Sequence, residues 1–371
     1  MFDESVKKLK NKNYTVVDLF CGAGGLSRGF MDEGFNVVLG VDFNDSALET
    51  FEKNHGKTKA LKIDLFNHEN INQIDEFLKK QNVHVDVLVG GPPCQGFSLA
   101  GKREADDDRN VLYSAMVKTA KLIKPKIVVL ENVPGLLSLY GGKAGNRIKA
   151  DFEELGYKMS AKILYAPNYG VPQIRKRVFF VGILGGAKAF DYPNPILSDG
   201  HFVTTRQAIG DLPSLINDND YKLSTVRSYE SSPQNEYQLK MRDGSKIVMN
   251  HYPTRHEQKT IDNISLVPEG GNYRDLPEEL SKLFKYKESL RRYHGDKPSL
   301  TIDTGHRTHF HYEYNRIPTV RECARLQSFP DTFIFHGSKQ EQYKQVGNAV
   351  PPLLGSAIAK KVKELLDNEK I

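Results

Sequence analysis

The sequence predicts an α/β protein in which a parallel sheet wrapped by helices is followed by a second, smaller and irregular domain. Three observations carry this. Short apolar runs alternate with helix-length amphipathic segments through the first half of the chain, the pattern of strands joined by crossover helices. From Gly185 to about Ile317 the texture changes to Pro, Gly, Asn, Tyr and His punctuation, and seven of the eleven histidines fall there, as expected of a loop-rich unit. Helical periodicity then returns near the C-terminus. With 371 residues the chain is long enough to bury more than one core.

In order, the expected strands are Tyr14–Phe20, Asn36–Val41, Ala60–Ile63, Val85–Val89, Ile127–Leu130 and Val178–Ile183. Between them Leu26–Glu33, Ser46–Asn54, Ile71–Lys80, Val111–Ile123 and Arg147–Leu155 read as helices. Thr319 and Glu322 form a capping-box pair that opens a helix over Thr319–Gln327. A last helix, Leu353–Leu366, follows the Pro351-Pro352 stop.

Composition narrows function only a little. A net charge of +6 suits a polyanionic partner, but between Gly185 and Pro318 18 Lys+Arg balance 18 Asp+Glu. Part of the excess sits in Lys7, Lys8, Lys10 and Lys12 and in Lys360, Lys361 and Lys363, and basic termini are more often solvated than binding. Three cysteines, Cys21, Cys94 and Cys323, are too few and too scattered for a disulfide framework. No Cys/His cluster has zinc spacing, so no metal is expected. No apolar run is long enough to span a bilayer, and MFDESVKKLKNKN lacks the apolar stretch of a secretory signal. A cytoplasmic protein is expected.

In an open α/β sheet, ligands sit outside the carboxyl ends of the strands. The first strand runs into DLFCGAGGLSRGF, Asp18–Phe30, whose Gly22, Gly24 and Gly25 permit a tight turn and a close approach of backbone to a ligand. The spacing is GxGG, not the GxGxxG of dinucleotide enzymes, so a purely structural turn remains open. The second strand ends at Asp42, about where a Rossmann-like fold places the acid that accepts from ribose hydroxyls, and Asp64 ends the third. Either acid could equally be a helix cap.

The fourth strand leads into GGPPCQGFS, Gly90–Ser98, a stiff loop that displays Cys94, unlike the usual buried thiol. The fifth ends in ENV, Glu131–Val133, which puts a carboxylate at the same edge as a candidate general acid. In PQIRKRVFFVGI, strand periodicity places Gln173, Arg175 and Arg177 on one face. Two arginines there can clamp phosphate, hold a carboxylate or favour a thiolate. A solvated edge strand with charged residues is the alternative.

At GGPPCQGFS, ENV and QIRKR in that order, with DLFCGAGGLSRGF before and RECARLQSFPD (Arg321–Asp331) and QVGNAVPP (Gln345–Pro352) after, the chain resembles the cytosine-5 DNA methyltransferases. The six blocks cover most of the chain outside about Gly185–Pro318. The resemblance implies a Rossmann-like, S-adenosylmethionine-dependent methyltransferase sheet in residues 1–184, completed by 340–371, with a target-recognition domain in 185–339. It also implies double-stranded DNA as partner, a restriction-modification setting with a companion endonuclease, and a monomer.

The resemblance also implies residue roles. Phe20, Cys21, Gly22, Gly24, Gly25 and Leu26 would hold the methionine part of S-adenosylmethionine, with Asp42 on the ribose and Asp64 on the adenine. Phe43, Leu65, Pro93 and Leu112 would join that pocket, and Asn348 and Val350 would complete it from the C-terminal segment. Cys94 would be the nucleophile and Glu131 would act on ring nitrogen 3 of cytosine. Asn132 would orient the Cys loop, while Arg175 and Arg177 would steady the base, with Arg175 favouring the thiolate. Gln95 and Ser98 match positions that touch DNA or close the loop.

One departure lies in GKREADDDRN, whose three consecutive acids would repel phosphate, so Arg103 or Arg109 is the expected DNA contact. Of the seven arginines between 227 and 307 that could reach DNA, none is singled out. Cys21 and Cys323 read as structural thiols, and the Thr319–Gln327 helix as packing between domains. A tRNA cytosine-5 methyltransferase of the same architecture and a non-catalytic DNA-binding relative are the rivals. The long 185–318 segment argues against the first, and the intact Cys94, Glu131 and Arg175 against the second. A nucleotide-dependent oxidoreductase is disfavoured by the missing GxGxxG.

Overall fold

The structure is a computed structural model that describes residues 13–93, 111–215, 226–282, 290–305 and 308–368. Its first half alternates β1 (Thr15–Leu19), α1 (Gly25–Asp32), β2 (Asn36–Asp42), α2 (Asp45–Asn54), β3 (Lys59–Lys62), α3 (Asn72–Lys80), β4 (Val87–Gly90), α4 (Val111–Ile123) and β5 (Ile127–Asn132). There follow α5 (Gly135–Ser138), α6 (Lys143–Glu153), β6 (Tyr157–Tyr165) and β7 (Lys176–Leu184). The seven strands form one sheet in the order β3-β2-β1-β4-β5-β7-β6. β1 pairs in parallel with β2 on one side and β4 on the other. The chain reverses its direction of travel across the sheet between those strands, and that switch point is where open sheets leave a crevice.

The sheet differs from the expectation in two respects. β7 runs antiparallel to both β5 and β6, so the sheet is mixed. β6 itself went unseen in the sequence. It is the edge strand, and Lys158 and Lys162 face solvent there, which dilutes its apolar signal as edge strands commonly do. The arginine-bearing strand is therefore internal, not a solvated edge.

Both faces of the sheet are buried, as near-continuous apolar strands require. On one face Val16, Val37, Val87 and Val129 pack under Phe30 of α1 and under Leu354, Ile358 and Val362 of the last helix. On the other, Val17, Leu39, Leu88 and Val128 pack under Ile74, Met116, Ile148 and Phe152 from α3, α4 and α6.

The remainder is built of short elements: α7 (Thr205–Ile209), β8 (Val226–Ser228), α8 (Glu236–Arg242), β9 (Ile247–Met249), α9 (Gln258–Ser265), α10 (Glu278–Ser281), β10 (Arg291–Arg292) and β11 (His309–Phe310). Then come α11 (Val320–Leu326), α12 (Lys339–Asn348) and α13 (Pro352–Asn368). The capping box at Thr319 and Glu322 is formed as expected. Pro352 does not stop a helix but opens α13, a first-turn position where its missing N–H costs nothing. Arg292, one of the seven arginines weighed for DNA, is buried. It donates to the carbonyls of Ile264, Val267, His311 and Tyr314, which makes it a brace of the loops.

α11 is buried along its whole length. Arg325 donates through Nε and Nη2 to the two carboxylate oxygens of Asp331 at 2.6 and 2.7 Å, and through Nη1 to Asp211 at 3.2 Å and to the Ala208 carbonyl at 2.9 Å. Arg321 donates to the carbonyls of Met249, Pro330 and Phe333. Two fully buried arginines thus join α7, β9 and α11, and every charge in the group has an opposite charge or a carbonyl against it, the condition for burying ions at all. Among the described residues no helix is long and apolar enough to cross a membrane.

Candidate active site

A cleft of about 660 Å3 lies at the carboxyl ends of β1, β2, β4 and β5 and is closed by the C-terminal end of α12. Its floor is the turn after β1. Phe20, Gly22 and Gly24 all have positive φ, 58°, 53° and 93°, so the chain winds tightly into α1. The two later glycines are also required by packing, and Gly25 lines the cleft as well. A Cβ on Gly24 would lie 2.2 Å from the His55 ring, and one on Gly25 would lie 2.2 Å from the Val350 carbonyl. Gly25 therefore lets the C-terminal segment press against the turn, while Gly22 borders the open cleft.

Asp42 secures the same turn from β2. Its Oδ2 accepts from the Gly22 N–H at 2.9 Å, and its Oδ1 from the N–H groups of Phe43 and Asn44 at 2.8 and 3.0 Å. Cys21 is buried, and burial, with Asp42 and Asp18 nearby, pushes its thiol well up, as expected of a structural cysteine. Cys323 is likewise buried with its thiol pushed up. Phe20, Leu26, Phe43, Pro93, Leu112, Asn348 and Val350 all reach the lining. Gly24, Asp64 and Leu65 do not. Asp64 is exposed and accepts from the Phe66 N–H.

At the far wall Glu131 is the penultimate residue of β5. The Arg177 Nε donates to its Oε1 at 2.8 Å. Burial raises the Glu131 carboxyl above its ordinary range, while Arg177 and Arg175 pull the other way. A carboxyl so placed keeps a proton more readily than one in water, which suits a general acid. Arg177, not Arg175, makes the contact with Glu131. Arg175 precedes the strand and donates to the carbonyls of Ile302, Gly347 and Ala349, which ties β7 to the end of α12. Gln173 accepts from the Ile302 N–H and donates to Gln327, so it too is a brace. Asn132 donates to the Pro92 carbonyl at 3.0 Å and so holds the segment that enters Cys94. Cys94, Gln95, Ser98, Arg103 and Arg109 lie outside the described residues.

Several lining residues escaped the sequence reading. Phe66 is 55% exposed on the cleft, as the expected Phe43 is at 63%, and it carried no signal because it follows the strand end at Asp64 by two positions. Gln345, the first residue of QVGNAVPP, also lines the cleft. Asp18 is 1% exposed, accepts from the Ser27 hydroxyl at 2.6 Å, and lines the cleft. Burial raises its carboxyl from 3.8 to about 7, Ser27 opposes this, and Asp42 adds to it.

A group held protonated by folding stabilises the fold below its ordinary value and loses that contribution as pH rises through about 7. Asp18→Asn is therefore expected to leave the ligand-free protein more stable than the native chain at pH 8, by a few kcal/mol in order of magnitude. The gain should vanish near pH 4. Urea denaturation between pH 4 and 8 checks this, and parallel pH curves for the two proteins would refute it.

The family model for C-5 cytosine-specific DNA methylase matches residues 14–364. The chain belongs to that family. As a cytosine-5 DNA methylase it is 39% identical over 358 residues to the type II methyltransferase M1.HphI of Haemophilus parahaemolyticus, covering 96% of this chain and 88% of that one. It is 35% identical over 383 residues to M.DdeI of Desulfomicrobium norvegicum, covering 95% and 89%. Among solved structures, a prophage-encoded DNA modification methyltransferase of E. coli superposes with a TM-score of 0.77 at 26% identity, covering 96% of this methylase and all of that chain. The S. pombe Dnmt2 methyltransferase gives a TM-score of 0.57 at 16% identity, covering 95% and 99%, a likeness of fold. Membership makes DNA the substrate and requires a methyl donor. Among the described residues no cluster of His, Cys, Asp and Glu could hold a metal.

Proposed function

We propose that the methylase binds S-adenosylmethionine in the cleft and uses Cys94 as its nucleophile on a cytosine swung out of duplex DNA. The observation that carries this is the pairing of Glu131 with Arg177 in the same cleft as Pro93 and the glycine turn. The lining fits a nucleoside bearing charged and polar groups. Phe43 and Phe66 offer exposed rings to a purine, and Gln345 Oε1 and Arg175 Nε are buried there without a partner. Asp18 adds a carboxyl that, among the described residues, is in no ion pair. Asp42 would take the ribose, and Asp64 the adenine from beside the cleft. Gly22, Asn348 and Val350 would border the amino-acid end. When bound, S-adenosylmethionine supplies an electrophilic methyl group on a sulfonium.

Carbon 5 of cytosine is a poor nucleophile in an aromatic, electron-poor ring. Attack of the Cys94 thiolate on carbon 6 forms a C–S bond and moves the ring electrons toward nitrogen 3, which Glu131 protonates. Carbon 5 is then an enamine carbon able to take a methyl group. Loss of the carbon-5 proton to a base expels the thiolate, and nitrogen 3 returns its proton to Glu131 as the ring is restored. Arg177 holds Glu131 in place, and Asn132 holds the entry to Cys94 through Pro92. The target base must leave the stack for any of this.

Residues 185–339 would form the target-recognition domain that reads the major groove, with 1–184 and 340–371 as the catalytic unit. Gln95, Ser98, Arg103 and Arg109 would contact DNA. Because the relatives are type II methyltransferases, the protein would act in the cytoplasm, as a monomer, beside a restriction endonuclease of the same specificity.

Bisulfite sequencing of DNA from cells expressing the protein would report the target. A duplex carrying 5-fluorocytosine at that base is then expected to remain covalently joined to the protein after methyl transfer, since fluorine blocks the final elimination. Denaturing electrophoresis reads this. No cross-link on a duplex that the enzyme methylates would overturn the thiolate mechanism.

A further inference from the structure

Gln345 stands three residues before the end of α12, is 6% exposed and lines the cleft. Its Nε2 donates to the His336 carbonyl at 3.0 Å. A carbonyl only accepts, so this contact fixes which way round the amide sits. Oε1 is left shielded from water and, among the described residues, without a donor. A buried acceptor in that state destabilises the fold, and a ligand donor that reaches it removes the penalty.

The neighbouring acceptors on the same wall are engaged. The Asp42 carboxylate takes the N–H groups of Gly22, Phe43 and Asn44, and a carboxylate offers about four acceptor positions in all. Asn44 Oδ1 accepts from the Ala47 N–H and so caps α2. The Glu341 oxygens meet Lys344 at 2.8 Å and Asn44 Nδ2 at 3.4 Å. That last contact brings α12 against the segment that follows Asp42. Gln345 lies one helical turn beyond Glu341, on the same face of α12. A ribose presents two adjacent hydroxyls, each a donor, and Asp42 has room for one.

We propose that Gln345 is a ribose-binding residue: its Oε1 accepts from one hydroxyl of the donor's diol, and Asp42 accepts from the other. The hydroxyl meets Oε1 through a small rotation of the terminal amide torsion, which is a soft one. One diol is then held by acceptors on two separate elements, β2 and α12, so the ribose ties the two walls of the cleft together. The assignment rests on the reading of the cleft as the S-adenosylmethionine site.

Calorimetric titration with S-adenosylhomocysteine and with its 2′-deoxy and 3′-deoxy forms tests this. The native protein is expected to bind each deoxy form about tenfold more weakly than the parent. Gln345→Met keeps the length of the side chain without its acceptor, and it should bind the parent about tenfold more weakly. It should also cease to distinguish one deoxy form from the parent, while the other stays weaker through Asp42. That retained discrimination shows that the cleft is folded. Gln345→Glu, which keeps an oxygen at the same place, should discriminate as the native protein does. Should Gln345→Met fail to fold, as read by circular dichroism, Gln345→Asn carries the same test, since it withdraws the acceptor by one methylene. A Met or Asn variant that still distinguishes both deoxy forms, however weakly it binds, would overturn the proposal. So would a native protein that binds the parent and distinguishes neither. If the native protein binds none of the three, the reading of the cleft as the donor site has failed instead.

Discussion

Cys94→Ala is expected to abolish methyl transfer while leaving cofactor binding intact. The chain has three cysteines, and the other two offer no substitute. Cys21 and Cys323 are buried, and burial pushes both thiols up, away from the thiolate. Removing the nucleophile should therefore cost about 10⁴-fold or more in turnover, with no second thiol to carry the reaction. Most of the cleft residues that would bind the donor stand on the turn after β1, at the end of β2 and at the end of α12, none of which depends on the sulfur. Transfer of a labelled methyl group to cognate duplex measures the loss, and calorimetric titration with S-adenosylhomocysteine checks the retained binding. Turnover near the native rate would place the chemistry elsewhere.

Arg325→Leu is expected to have the largest effect on stability. The guanidinium lies between Asp331 and Asp211, and all three side chains are shielded from solvent. Arg242 also meets Asp211 at 3.3 Å, and Arg321 stands 3.7 Å from Asp331, but neither offers the paired geometry of Arg325. Deleting the cation leaves two buried carboxylates short of their main partner, a loss of about 3–5 kcal/mol. The urea midpoint should fall accordingly with little change in slope. Because α11 packs on α7 and α12, cofactor affinity should weaken as well. A midpoint within experimental error of the native value would mean that Arg321 and Arg242 suffice.

The parallel core of the sheet was legible because β1, β2, β4 and β5 are buried on both faces and read as unbroken apolar runs. Glu131 and Asn132 were legible as polar residues at the end of such a run, β5, while Cys94 lies outside the described residues. Edge strand β6 was not, for its solvent-facing lysines interrupt the pattern. Nor was α12, whose buried face includes Gln342 and Gln345. Gln342 exchanges hydrogen bonds with Asn250 and the Gly337 carbonyl, and hydrogen-bonded burial of amides has no hydrophobic periodicity. The division of labour between the arginines was hidden for a different reason. Alternation put Arg175 and Arg177 on one face, but the strand begins only at Lys176, so Arg175 turns to the carbonyls of residues far along the chain. Phe66 and Asp18 carried no pattern that would distinguish a cleft residue from a loop or core one.

The contact between Gly25 and the Val350 carbonyl also has a bearing on timing. The two residues are more than three hundred positions apart, so a ribosome adding about 5–20 residues per second exposes the turn roughly 15 to 65 s before its other half. Through that interval the nascent sheet can form, but the cleft stays open on one side. The enzyme should therefore acquire its methyl donor only after α12 has left the ribosome, and an unfinished chain would be a folded sheet without the means to modify DNA.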